Sequence, residues 1–227
     1  MTVTSVAVVV FPGSNCEYDA ARALESLGAS ATLVFHSAQD LSAFDGVVLP
    51  GGFAHGDYLR PGALARFSPV MSALERFAAG GGPVLGICNG FQVLTEAGLL
   101  PGALQKNRGL TFLCQPETLV VASTRSVLTR AANVGDELVI PINHFSGNYT
   151  CDDATHRELV ENDQVVLRYR DNPNGSRDDI AGISNRAGNV VGLMPHPERA
   201  MSSLLGSADG LVLLRGFLGL EPAFSGR

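Results

Sequence analysis

Short apolar runs, each closed by glycine or proline, recur along the first hundred residues. Residues 6–11 are apolar at every position and stop at Pro12-Gly13, the pattern of a strand buried on both faces. Residues 16–27 carry helical spacing and end at Gly28. Residues 32–35 predict a second strand and residues 47–49 a third, followed by the glycine-rich loop at 50–62. Ser68-Pro69 supplies a capping residue and a first-turn proline for a helix that the glycines 80–82 close. Residues 84–87 form a fourth strand that runs into Cys88, after which residues 91–94 continue in a helix-like pattern. Strands alternating with helices predict right-handed crossovers and a parallel sheet.

The second half changes character. Residues 110–145 read as short strands rich in Val, Leu and Thr. Asn-Pro and Asn-Gly pairs mark residues 169–179 as a loop. Residues 180–184 and 190–194 predict a strand pair joined around Gly188, and a last helix is expected near 209–218. No repeat or linker divides the chain, so one α/β domain over residues 1–227 is expected.

Composition narrows the function classes. The formal charge is −6, from 16 basic and 22 acidic residues, with no basic stripe; a nucleic-acid partner is not expected. No Lys or Arg precedes the first apolar run, which is read as a strand and not as a signal peptide. No apolar run approaches the ~18 residues of a membrane span, so no membrane partner and a cytoplasmic location are expected. Cys16, Cys88, Cys114 and Cys151 form no C-x-x-C pair. No metal site is assigned, and free thiols are expected in a reducing compartment. Neither a phosphate-binding nor a dinucleotide-binding glycine motif is present.

The chemistry concentrates at residues 86–90. Gly86-x-Cys88-x-Gly90 has the spacing of a nucleophile elbow, a sharp strand-to-helix turn with a glycine on either side. It places the thiol at the carboxyl end of a strand and at a helix N-terminus, whose partial positive charge favours thiolate. A thiolate nucleophile needs a base, and His196 and Glu198 lie two residues apart in a proline-flanked, extended segment. Side chains at i and i+2 of extended chain point the same way, so Glu198 can fix the imidazole tautomer. Gly51 and Gly52 follow a strand, where a backbone N–H can meet an oxyanion; the Asn89 amide is the natural second donor. His36, His55 and His156 take bland readings: a strand end, the glycine loop, a polar loop. On these residues alone, a cysteine hydrolase with another substrate and a non-catalytic subunit both remain open.

The set Gly86-Ile87-Cys88-Asn89-Gly90-Phe91-Gln92, with His196-Pro197-Glu198, resembles the class I (triad) glutamine amidotransferases. Further blocks, at residues 11–20, 49–63, 172–185 and 188–199, resemble the members that serve purine biosynthesis. The resemblance implies a flavodoxin-like, mostly parallel sheet flanked by helices, with added antiparallel strands in the second half. It implies that Cys88, His196 and Glu198 form a triad hydrolysing L-glutamine, with Gly52 and Asn89 as backbone oxyanion donors. By the same resemblance Gln92 holds the substrate, and Phe145 and Ser146 bind the glutamine carboxylate through backbone amides. It also implies an ATP-dependent synthetase subunit that receives the ammonia, a small third subunit, and no cofactor in this chain, ATP and magnesium being used by the synthetase. Two stretches depart from the pattern. Ala54-His55 stands where Ser-Tyr is usual, and His144-Phe145-Ser146-Gly147 stands where the family often carries a glutamate.

Overall fold

Among residues 2–220, which the computed structural model describes, eleven strands and five α-helices succeed one another. The strands are β1 (Ser5–Val10), β2 (Ser30–Phe35), β3 (Gly46–Leu49), β4 (Val84–Ile87), β5 (Ala103–Gln105), β6 (Leu113–Val121), β7 (Glu137–His144), β8 (Asn148–Thr150), β9 (Val165–Tyr169), β10 (Ile180–Ser184) and β11 (Val190–Leu193). The helices are α1 (Glu17–Ser26), α2 (Pro69–Ala79), α3 (Asn89–Glu96), α4 (Asp153–Glu161) and α5 (Gly210–Leu218). Nine strands form one sheet in the order β2-β1-β3-β4-β11-β10-β9-β6-β7; β5 and β8 pair separately. The first five of that order are mutually parallel, and every later pairing is antiparallel. The expected combination of a parallel half and antiparallel additions is what forms.

The central strands β3, β4 and β11 are buried along their whole length, as their unbroken apolar runs require. Side chains alternate across β4. Leu85 and Ile87 face Leu24 of α1 and Leu214 of α5, whereas Gly86 faces α3, where a Cβ would come within 2.6 Å of Leu94. Helices therefore cover both faces, and the carboxyl ends of β1, β3, β4 and β11 share one edge. Open α/β sheets bind ligands at that edge.

Four local expectations are corrected. Ser68 stands at the N-cap of α2 but its side chain accepts no capping bond; its hydroxyl lies 3.2 Å from His36 Nδ1 and 3.3 Å from His55 Nε2. His156 is on helix α4, not in a loop. Within the expected loop, Arg177–Asp179 form a 3₁₀ turn. The region 110–145 holds two long strands, β6 and β7, which pair from Leu113 opposite His144 to Val120 opposite Glu137.

Candidate active site

The elbow is built by close approach. Cys88 has φ +51° and ψ −104°, a region that non-glycine residues rarely occupy and that costs of order 1–3 kcal/mol. A Cβ on Gly90 would fall inside the carbonyl oxygen of Leu49, so the helix can start this near β3 only with glycine there. The Cys88 N–H donates to Leu193 O at 2.8 Å, tying the elbow to β11. The thiol donates to the Asn143 carbonyl, 3.7 Å away, at the end of β7.

His196 follows β11, and its backbone N–H donates to Pro141 O at 2.8 Å. Its Nδ1 lies 2.6 Å from Glu198 Oε1, and both side chains are buried. His196 Nε2 and Glu198 Oε2 are buried with no hydrogen-bond partner among the described residues. With Nδ1 committed to the carboxylate, Nε2 is left to take and give a proton. Burial works against the imidazolium, but the Glu198 carboxylate and then the Cys88 sulfur outweigh it, and His196 is held well above its ordinary pKa. His144 behaves oppositely: burial first, then the like charge of His196, pushes it down to about 4, so it is neutral at working pH.

Gly52 sits at φ +150°, where a Cβ would lie 2.7 Å from both Ser14 Cα and Asn15 N. The neighbouring Gly51 carbonyl accepts from the N–H groups of Asn15 and Cys16, each at 3.2 Å. This fixes the 51–52 peptide, and the Gly52 N–H has no backbone acceptor among the described residues. The Asn89 N–H belongs to the first turn of α3, which has no intrahelical acceptor. Both groups are free to meet an oxyanion. The Asn89 side chain is structural as well: Oδ1 accepts from Ala54 N at 2.9 Å, and Nδ2 donates to Gln92 Oε1 at 2.8 Å.

Gln92 is buried, and its Nε2 donates to Ser146 O at 2.6 Å. Both ends of its amide are thus engaged within the protein. Ser146 is buried and Phe145 exposed. Residues 144–147 are held by two asparagines that sequence reasoning did not single out. Asn107 Oδ1 lies 3.1 Å from His144 Nδ1 and accepts from Gly147 N at 3.0 Å, while its Nδ2 donates to His144 O. Asn174 Nδ2 donates to Gly147 O at 2.8 Å, which gives the Asn-Pro-Asn-Gly-Ser block a mechanical role beneath the site.

Cys88, His196, Gly52, Gln92, Phe145 and Ser146 all line one cavity of about 840 Å³ at the carboxyl edge of the sheet. Cys16 lines it too, accepting from Arg199 Nη2 at 3.1 Å. Ligand atoms of Cys16, His196 and Glu198 lie within 4.8 Å of one another, all buried. That is a donor set fit for a soft divalent ion, which spacing along the chain does not reveal. No described helix is long and apolar enough to cross a membrane.

Comparison with known proteins places the chain in a family. The family model of the CobB/CobQ-like glutamine amidotransferase domain matches residues 3–208. Phosphoribosylformylglycinamidine synthase subunit PurQ of Rubrobacter xylanophilus is 57% identical over 213 residues, covering 94% of this chain and 97% of that protein. The subunit of the same name from Lacticaseibacillus paracasei is 54% identical over 213 residues, covering 93% of each. Among solved structures, PurLQS from Thermotoga maritima superposes with a TM-score of 0.88 at 42% identity, over 96% of this chain and 99% of that one. A putative GMP synthase subunit from Thermoplasma acidophilum, 18% identical with a TM-score of 0.65 over 96% of this chain and 94% of that one, shares the fold.

Proposed function

The chain belongs to the CobB/CobQ-like glutamine amidotransferase domain family, and from that premise we infer that it is the glutaminase subunit of phosphoribosylformylglycinamidine synthase in purine biosynthesis. It hydrolyses glutamine to glutamate and passes the ammonia to an ATP-dependent synthetase subunit, which converts formylglycinamide ribonucleotide to its amidine; a small third subunit completes the complex. One observation carries the reading. The strained thiol of Cys88 opens into the same cavity as a buried imidazole that a carboxylate holds at 2.6 Å.

In the proposed sequence His196 Nε2 takes the thiol proton of Cys88 as the sulfur attacks the side-chain carboxamide carbon, forming the S–C bond while the carbonyl π pair moves to oxygen. The Gly52 and Asn89 N–H groups receive that oxyanion. The C–N bond then breaks, and His196 Nε2 gives its proton to the departing nitrogen, releasing ammonia. Water attacks the thioester and returns a proton to His196; collapse expels the sulfur and frees glutamate. Glu198 holds the ring in the tautomer both proton transfers need. Gln92 acts through Ser146, whose carbonyl it fixes. These steps need no bound cofactor in this chain; ATP and magnesium belong to the synthetase. The continuous nine-stranded sheet supports treating the chain as one domain, and its free thiols support a cytoplasmic location.

Alkylation with a diazo-ketone analogue of glutamine, read by mass spectrometry, tests the site. One adduct on Cys88 is expected. Labelling of Cys16 in its place would move the nucleophile, and no labelling at all would contradict the glutaminase reading.

A further inference from the structure

The residues lining the cavity include one carboxylate, Asp57. It closes the turn Ala54–Asp57 that follows Gly52, in left-handed backbone at φ +53°. Its half-buried side chain accepts from Asn89 Nδ2 at 3.3 Å. No cation among the described residues pairs with it. Three of the basic groups lining the cavity are committed elsewhere. Arg60 holds Glu96 through two bonds of 2.6 and 2.7 Å. Arg199 lies 3.4 Å from Asp19, and the Lys106 ammonium lies over the Phe145 ring. A carboxylate removed from water without a counter-charge is costly; burial, opposed by the Asn89 bond, pushes Asp57 up to about 6.

The substrate brings the missing charge. Glutamine carries its α-carbon three C–C bonds from the carboxamide carbon and its α-ammonium one C–N bond further, a span of roughly 5 Å when extended. Asp57 is tied to Asn89, the residue after the nucleophile, and through Asn89 to Gln92 and Ser146. This chain of hydrogen bonds links Asp57 to the residue beside the nucleophile and to Ser146, which lines the same cavity. Gln92 already bonds within the protein at each end of its amide and carries no charge to offset the ammonium. We infer that Asp57 receives the α-ammonium of glutamine as an ion pair and selects amino-acid amides over amides that lack it. The inference rests on the glutaminase reading above.

The test is glutamine-dependent synthesis by the assembled complex, with glutaramate, the same amide without the α-ammonium, as the comparison substrate. Asp57→Asn should raise KM for glutamine roughly 10- to 100-fold with a smaller fall in kcat, as expected for losing a charged hydrogen bond. It should leave kcat/KM for glutaramate within about threefold of wild type, and Asp57→Glu should recover part of the preference. Equal losses with both amides, or no loss with glutamine, would overturn the inference. Ammonia-dependent synthesis reports that the variant complex is assembled. If it is not, the wild-type complex decides: glutamine should protect Cys88 from iodoacetamide at tenfold or more lower concentration than glutaramate, and equal protection overturns the inference. A wild-type complex that neither uses glutamine nor takes the diazo-ketone would instead sink the glutaminase reading.

Discussion

The residue with the least freedom at this site is His196. Its backbone N–H is held by Pro141, its Nδ1 by Glu198, and its ring is buried. Removing the Glu198 charge removes the foremost cause that raises its pKa. Glu198→Gln is therefore expected to keep the fold, cut glutaminase turnover roughly 10²- to 10⁴-fold, and move the His196 titration to lower pH. Steady-state glutamate release and the imidazole signals in an NMR pH titration measure the two effects; wild-type turnover would remove Glu198 from the triad. The thiol was legible in sequence because glycines two residues either side of it are themselves a mechanism; the His196–Glu198 pair meets for a different reason than the extended chain expected, since Pro197–Arg199 form a 3₁₀ turn capped by His196. Asp57 was not legible. An aspartate in a glycine loop looks like a solvated turn residue until the fold buries it against Asn89. Nor was the proximity of Cys16 to His196, 180 residues apart in sequence and joined only by the sheet edge.

Elements were read well where one apolar run makes one buried strand, and poorly where pairing overrides local signals. Residues 110–145 read as short strands, and the two long strands that form there carry prolines at 116 and 141. In the fold they face each other across β6 and β7, so two residues without an N–H share one position of the ladder. Helix α4 buries only Leu159, too weak a stripe to show as a period. The 51–52 peptide is fixed in place: turning it would break both bonds to the Gly51 carbonyl, about 2 kcal/mol. A β-branched residue at Gly52 would also strike the backbone of Ser14 and Asn15, so that substitution reports on packing before chemistry. The cleaner probe of this wall is Asn107→Ala. It strands several buried partners around residues 144–147 and is expected to cost ~2–4 kcal/mol of stability and to raise KM for glutamine. Thermal unfolding and initial rates check it; unchanged values in both would mean this loop is held by other contacts.

At the scale of the whole molecule, the cavity is lined in part by Phe53, Leu59 and Leu110, all of them exposed. Exposed apolar side chains beside the site suit an interface more than solvent. The chain is expected to be a poor glutaminase alone and to be activated by the synthetase, most of all when that partner holds its nucleotide and ribonucleotide. Glutamate release with each addition measures this; equal rates throughout would sink the coupling. The central claim, that ammonia is made through the thiol of Cys88, has a sharper test in the complex carrying Cys88→Ala. Synthesis should be lost with glutamine and retained with an ammonium salt, because only ammonia release passes through the sulfur. Loss with both nitrogen sources would make Cys88 a structural residue, and retention with glutamine would place the nucleophile elsewhere.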